Sequence, residues 1–430
     1  MSVETREKLA LYGGPKAVTI RGGDRWAAIS DLEIAAVNDL LAKRNVGHLY
    51  SALDTFEKSF AEFVGVKYAL THCNGTASLH AACFAAGVGP GHEVIVPSYT
   101  WHATITPALH CGATPVFAEL DPRNLCLDPR DVERRITLRT KAIVVTHVFG
   151  NVADMDGLMD VANRHGLVVI EDCSHAHGAT WRGRQVGSIG HIGCFSMQAS
   201  KALSAVEGGV LTTNDPKLFD RALILGGYGR ITDLKASDEF ADLKNMGLGL
   251  KYRANPLGIA FAGAQLKRLN ELNEHRTRCA DYLNAQLRGV EGIATVEPLP
   301  GARRGGYLEL NFRYTGEEKW GVSPETFVKA VAAEGVSIWL RRGGYGAMHL
   351  EPLFNDFDLS NLGGCFYDWK RHADGRRPKR YAPGSLPITE SVVEQMFSLP
   401  AFALPPDGLL DQYVAAVKKV LASVKQLKEE

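Results

Sequence analysis

The chain of 430 residues is short of several features that would mark other classes of protein. It has no net charge: 48 Lys and Arg face 48 Asp and Glu. No overall field therefore draws it to nucleic acid or to an acidic membrane surface. No apolar run approaches the roughly 18 residues of a spanning helix. The opening MSVETREKLA is charged and has no apolar core of the kind a secretory leader carries. None of the eight cysteines (Cys73, Cys83, Cys111, Cys126, Cys173, Cys194, Cys279 and Cys365) stands in a C-x-x-C pair. Zinc-ribbon and iron–sulfur spacings are thus missing, and reduced, mostly buried thiols are expected. No Gly-Lys-Ser/Thr closes a Walker loop, and there is neither an internal repeat nor a low-complexity tract. The expectation is a soluble, cytoplasmic protein that acts on small molecules, with no nucleic-acid or membrane partner.

What is present is ordinary globular material, 45% hydrophobic and 22% charged, with length enough for two or more domains. Ser30-Asp31-Leu32-Glu33 reads as a capping box opening a helix through Leu40 and Leu41. Phe56, Phe60 and Phe63 have helical spacing, with Gly65 as the stop. Short β-rich runs follow at Tyr68–Thr71, Glu93–Pro97, Pro115–Ala118, Ala142–His147, Leu167–Glu171, Ile192–Met197 and Gly209–Thr213. Helical patterns such as Asp156–His165 separate several of them. This alternation predicts an α/β domain of three layers with a mostly parallel central sheet. Past about residue 275 the texture changes. A helix near Leu272–Leu287, Gly- and Arg-rich stretches at Gly301–Gly306 and Arg341–Gly346, and a last helix over Tyr413–Lys425 predict a smaller C-terminal α+β domain. The division expected is 1–275 and 276–430.

Four segments could carry chemistry. Asn74-Gly75-Thr76-Ala77-Ser78 follows a strand and opens a helix, where small residues let backbone N–H groups approach an anion; it also reads as a plain N-cap. Val168–Asp172 is an apolar strand ending in two acids, followed by His175 and His177. An acid there could hold a cationic ring nitrogen, or the histidines could join it around a metal, or it could be structural. Ser196-Met197-Gln198-Ala199-Ser200-Lys201 places one lysine on a turn after a strand, ahead of Glu207-Gly208-Gly209. Trp101, just past the strand ending at Pro97, could stack on a flat ring or pack as an ordinary rim residue. Taken together they are a phosphate cradle, a stacking ring, an acid for a ring nitrogen and an amine for an aldehyde, the parts of a pyridoxal 5′-phosphate site.

The ordered segments FEKSFAEFVGVKYALTHCNGTASLHAA, GHEVIVPSYTWHAT, TKAIVVTHVFGN, VVIEDCSHAHGA, CFSMQASKALSAVEGGVLTT and KYRANPLGIAFAGAQL resemble the DegT/DnrJ/StrS sugar aminotransferases. The resemblance covers nearly the whole chain. It implies the fold type I architecture of pyridoxal-phosphate enzymes, with Lys201 as the Schiff-base lysine and Asp172 on the pyridine nitrogen. It implies Trp101 stacked on the ring, and Gly75, Thr76, Ser196 and the main chain at Ala77 around the phosphate. Arg253, in Lys251-Tyr252-Arg253-Ala254-Asn255, matches a segment that reaches the neighbouring subunit, so a homodimer with composite sites is implied. Two positions depart from the family pattern: His175 stands where Gln is usual, near the ring oxygen, and Val206 where Gly is usual. The leader LALYGGPKAV and SMQASKAL resemble the branch that aminates keto-cyclitols such as scyllo-inosose at the expense of glutamine, in aminocyclitol antibiotic biosynthesis; aminohydroxybenzoate synthases are related. The substrates implied are an amino-acid donor, L-glutamine or L-glutamate, and a cyclitol or sugar ketone. A dehydratase of the same fold, which replaces the lysine by His, and a non-catalytic paralogue are the rival readings; Lys201 argues against the first, and the presence of both Lys201 and Asp172 against the second.

Overall fold

The computed structural model describes residues 8–23, 28–227, 230, 233–235, 238–243, 246–341, 344–355 and 380–428. Cys365 and positions 342 and 343 of the Arg341–Gly346 stretch lie outside the described residues.

Helix α1 spans Asp31–Ala42, and its start is the expected capping box: the Ser30 hydroxyl and the Glu33 carboxylate satisfy each other's backbone N–H groups. Helix α2, Ser51–Val64, ends where Gly65 takes a left-handed conformation, φ 80°. Helix α3 spans Gly75–Ala85. The strands are β1 Tyr68–His72, β2 Glu93–Pro97, β3 Thr114–Ala118, β4 Thr140–Thr146, β5 Val168–Asp172, β6 Thr180–Trp181, β7 Arg184–Gln185, β8 Ile192–Ser196, β9 Gly209–Thr213, β10 Ile293–Thr295, β11 Ala302–Arg303, β12 Glu309–Tyr314, β13 Trp339–Leu340 and β14 Met396–Pro400.

Seven of these form the large sheet, in the order β1-β9-β8-β5-β4-β2-β3. Neighbours from β8 through β3 run parallel, while β9 is antiparallel to both β8 and β1. The near-continuous apolar character of these strands follows from burial on both faces. Along β2, Ile95 packs into one core cluster while Val94 and Val96 pack into another; along β4, Ile143 and Val145 oppose Ala142 and Val144 in the same way. The period of two therefore divides the core into the two outer seams of a three-layer domain.

A second, all-antiparallel sheet, β10-β12-β14-β13, has its own core around Phe312, Phe327, Phe397 and Tyr413. The helix Leu269–Leu287 connects the two regions: Leu269 belongs to the first core, and Cys279, Ala280, Leu283 and Leu287 to the second. We propose that the division between 1–275 and 276–430 falls within this helix. The N-terminal segment crosses it, since Leu9 and Val18 pack in the second core. The last helix, Leu409–Ala422, starts and ends earlier than the apolar pattern predicts, and a 3₁₀ turn continues it over Val424–Lys428.

Glu334 fastens the N-terminal segment. Its fully buried carboxylate accepts the N–H of Ala10 at 2.7 Å and of Ala17 at 3.0 Å, and pairs with Lys419 Nζ at 2.9 Å. Removing it strands a buried cation and two amides. Glu334→Ala is expected to lower stability by about 3 kcal/mol, read by chemical denaturation. The same substitution should open residues 8–18 to limited proteolysis in the otherwise folded protein.

Candidate active site

Ligands of open α/β sheets bind beyond the carboxyl ends of the strands. Here the ends of β4, β5 and β8 open into a cavity of about 570 Å³. Of the residues singled out in the sequence, Gly75, Thr76, Trp101, Asp172, His175, Ser196 and Lys201 all line it. Ala77 and Arg253 do not. The Ala77 N–H is committed to the Asn74 Oδ1 at 2.8 Å, capping α3, and the Arg253 guanidinium lies 4.5 Å from the centre of the partly exposed Tyr50 ring.

One end of the cavity is the N-terminus of α3. A Cβ added at Gly75 would lie 2.6 Å from the Ser196 Cβ, and one added at Gly209 would lie 2.3 Å from the Asn74 carbonyl oxygen. Only glycine lets α3 approach the ends of β8 and β9 so closely. The first turn of α3, Thr76 and the Ser196 hydroxyl then face one space, a cradle whose positive helix end suits a phosphate.

The floor is the end of β5, where two adjacent acids point to opposite sides. Asp172 faces the cavity but is only 4% exposed; its Oδ2 accepts from Thr104 Oγ1 at 2.7 Å and its Oδ1 from the Ser174 N–H at 3.1 Å. Thr104 Oγ1 also lies 2.7 Å from Thr100 Oγ1, which in turn contacts Thr146 Oγ1 at 3.3 Å. Glu171 points away and is fully buried. Its carboxylate accepts the N–H groups of Gly187, Ile189 and Gly190 at 2.6–2.9 Å, and His147 Nε2–H at 3.1 Å. The His147 tautomer follows from its other nitrogen, Nδ1, which accepts the Ala153 N–H. Glu171, His147 and Cys173 are the described residues close enough together to surround a metal. Their lone pairs are spent on these bonds, however, and burial raises the Cys173 thiol so that it keeps its proton. This cluster is structural.

Lys201 sits half-buried on the turn after β8, where its N–H bonds the Gln198 carbonyl at 2.9 Å and its side chain lines the cavity. The turn that follows holds Val206 at φ 65°, a left-handed conformation that is unusual for a β-branched residue and ordinary for glycine. An amine, a buried carboxylate and an anion cradle thus share one cavity.

The DegT/DnrJ/EryC1/StrS aminotransferase family model matches residues 27–360. The chain belongs to this family. It is 35% identical over 433 residues to the L-glutamine:scyllo-inosose aminotransferase of Streptomyces griseus, covering 97% of this chain and 99% of that one. It is 41% identical over 366 residues to the GDP-perosamine synthase of Caulobacter vibrioides, covering 85% and 89%. Among solved structures, 3-amino-5-hydroxybenzoic acid synthase superposes with a TM-score of 0.78 at 25% identity, over 94% of this chain and all of that one. The two-sheet architecture is that of fold type I pyridoxal-phosphate aminotransferases, as the resemblance in the sequence implied.

His175 is held through both of its ring nitrogens. Burial, with the nearby charges of Lys201 and Arg341, drives the His175 pKa well below its ordinary value, so the ring is neutral. Nδ1 accepts the Phe149 N–H at 3.2 Å, which puts the proton on Nε2, and Nε2–H donates to the Tyr345 hydroxyl at 3.0 Å. His175 therefore braces the cavity wall made by the segment after β13. Trp101, 42% exposed, is held by the same segment: its ring centre lies 5.3 Å from that of Tyr345, and a Cβ on Gly344 would collide with it at 2.3 Å.

Sequence reasoning missed Thr104, Arg341 and Tyr345. Thr104 lies three residues past Trp101, and its spacing was a usable signal. Nothing local points from Arg341 and Tyr345 to site residues about 140 to 270 positions upstream.

Glu171 gives the site a sign-defined acid response. Burial raises its pKa, but the hydrogen bond and attraction of His147 and the N–H groups of Gly187 and Gly190 outweigh burial and hold it below the ordinary value. Its stabilisation is complete above the ordinary Glu pKa of about 4.3 and is lost as pH falls through the lower folded value. Glu171→Gln should be less stable by about 2 kcal/mol at neutral pH. The gap to wild type should close as pH falls below the ordinary Glu pKa, as followed by denaturant midpoints across a pH series.

Proposed function

We propose that this protein is a pyridoxal-phosphate-dependent aminotransferase that moves an amino group from L-glutamine or L-glutamate to the ketone of a cyclitol or sugar. The observation that carries the reading is the convergence of Lys201 and Asp172 on one cavity that ends in the Gly75–Ser196 cradle. That arrangement fits the cofactor: the cradle would take its phosphate, Trp101 would cover a ring face, and Asp172 would hold the ring nitrogen. Bound there, pyridoxal phosphate supplies an aldehyde that carries the amino group and a ring that accepts an electron pair.

The chain's own residues do the rest. Asp172, fixed by Thr104 and the Ser174 N–H, keeps a proton on the ring nitrogen. Lys201 Nζ would hold the cofactor's aldehyde and would serve as the base that moves a proton to and from the donor's carbon. Neutral His175 adds no second positive charge beside Lys201. The glutamine- and inosose-directed relative and the GDP-perosamine synthase support a polyhydroxylated ketone as acceptor.

The site is proposed to be shared by two copies of the chain. Ile29, Leu32, Ile34, Leu41 and Val46 leave an exposed apolar face on and around α1. Arg253 lies outside its own chain's cavity, on Tyr50 near this face. Mixing Lys201→Ala and Arg253→Ala chains should restore part of the activity that each lacks alone, measured at equal total protein. No recovery in a mixture verified to exchange subunits would refute the shared site.

The direct test of the assignment is Lys201→Ala. The visible absorption band of the bound cofactor should disappear and turnover should fall by about three orders of magnitude or more. Borohydride reduction of the wild type, followed by peptide mass mapping, should place the cofactor on Lys201; finding it on another lysine overturns the assignment.

A further inference from the structure

Two histidines follow Asp172, and only one of them has been given a part. His175 has both ring nitrogens bonded and braces the cavity wall. His177 is fully buried, yet neither its Nδ1 nor its Nε2 has a hydrogen-bond partner among the described residues. Two idle ring nitrogens in a dry interior are costly, and native structures rarely carry them without a use. The residue itself is firmly placed. The Asn273 side-chain amide donates to the His177 carbonyl at 2.7 Å, and the Gly306 N–H donates to Asn273 Oδ1 at 3.2 Å. A Cβ on Gly306 would lie 2.5 Å from the His177 main-chain nitrogen, so only glycine closes this clamp. The ring packs on Phe195, centre to centre 5.4 Å, and Phe195 leads through Ser196 into the turn that carries Lys201.

Burial drives the His177 pKa down to about 3, helped by the charges of Lys201 and Arg276; the main chain at Ser196, though outside hydrogen-bond geometry, favours the protonated ring. The ring is therefore neutral near pH 7, with one N–H and one lone pair. That lone pair is an acceptor in the field of a lysine amine. His175 feels the same Lys201 charge but has no acceptor left, because its Nδ1 already takes the Phe149 N–H. We infer that His177 is a positioning residue for Lys201: its unprotonated ring nitrogen accepts a hydrogen bond from the Lys201 ammonium. In the proposed cycle Lys201 Nζ takes a proton from the donor's carbon and becomes that ammonium, while the electron pair of the broken C–H bond passes to the cofactor ring. The proton stays on Nζ, since neutral His177 is far too weak a base to remove it. His177 supplies an acceptor that keeps the ammonium in place until the proton returns to carbon. The inference rests on the aminotransferase reading for this step, but not for the contact between the two side chains.

The test titrates the Lys201 amine in protein loaded with pyridoxamine phosphate, a form in which that amine is not bonded to the cofactor. Trace acetylation across a pH series, read by peptide mass mapping, gives the pH at which Lys201 is half protonated. The other charged groups around the pair, Asp172, Glu207 and Arg341 in the cavity and Arg276 beside His177, are the same in every variant. An acceptor favours the ammonium, so His177→Leu should lower that pH by about one unit, a tenfold change. His177→Gln, whose carbonyl oxygen still accepts, should stay within about 0.3 unit of wild type. If the leucine variant does not fold, the wild type decides: with isotope-labelled histidine, the His177 ring signals, identified by their loss in His177→Gln, should shift in NMR spectra at the Lys201 midpoint. In turnover, kcat with L-glutamine should fall about tenfold in the leucine variant and recover in the glutamine variant, with KM for both substrates within about threefold of wild type. A Lys201 midpoint that is the same in all three proteins overturns the inference, as does an equal shift in both variants or a His177 signal that ignores the Lys201 titration. If the titration depends on His177 but L-glutamine and L-glutamate leave the cofactor band untouched, the contact stands and the proposed donor falls. If the protein takes up no pyridoxamine phosphate, the same titration without cofactor decides the contact, and the cofactor assignment falls.

Discussion

The end of β5 is the constraint on which the site depends. In a strand, neighbouring side chains point to opposite faces, so Glu171 and Asp172 cannot share a role. Glu171 is driven into the core, where a bare carboxylate would be prohibitively costly. It is tolerated because three backbone N–H groups of the 187–190 turn and His147 surround it. That same cluster ties β5 to the turn ahead of β8 and to the loop after β4. Asp172 is thereby fixed to within a hydrogen bond of Thr104, and the ends of β4, β5 and β8 are fixed relative to one another. Preorganisation of this kind is what lets a charged group act without first moving its surroundings.

The second requirement is close approach of backbone. The absence of side chains at Gly75 and Gly209 lets α3 touch the ends of β8 and β9. A helix N-terminus, a serine hydroxyl and the turn bearing Lys201 consequently occupy one small volume. The strained conformation of Val206 belongs to the same turn. Strain held at such a position is supported by the surrounding packing, here by the Val206 N–H bonded to Ser204 Oγ at 2.9 Å and the Ala205 N–H bonded to the Met197 carbonyl at 2.8 Å.

The two sheets meet at the cavity and are joined there by polar contacts from one short segment. Tyr345 reaches His175, the Met348 N–H reaches the Ser98 carbonyl at 3.1 Å, and His349 bridges Ser98 Oγ at 2.6 Å and Glu390 Oε1 at 3.0 Å. Tyr99 also pairs with Ala347 as an isolated β-bridge. The wall carrying Arg341 is thus set against the β2 loop that carries Trp101. A segment that comes after β13 of the second sheet and bonds to the large-sheet side holds the aromatic and cationic sides of the cavity in register.

Much of this was legible in the chain itself. The capping box at Ser30–Glu33 and the stop at Gly65 follow from local hydrogen bonding and glycine's freedom at positive φ, so they needed no tertiary information. The strands of the large sheet were visible because burial on both faces makes each an apolar run, and the ordered motifs around Gly75, Asp172 and Lys201 carried the family. Strand limits shifted by a residue or two, as at β5, because pairing with neighbours decides where a strand ends. Other features had no local trace. Nothing near Glu171 and Asp172 says which acid is structural and which faces a ligand; the pleat and the 187–190 turn decide it. Arg341 and Tyr345 are ordinary residues in a Gly- and Arg-rich stretch until the second sheet brings them to the ends of strands far earlier in the chain. Local chemistry and periodicity were determined by the sequence alone, because they depend on neighbours a few residues away. The wall facing the cofactor cradle was decided only by tertiary structure, because it is made of contacts between residues that the chain separates and only packing brings together.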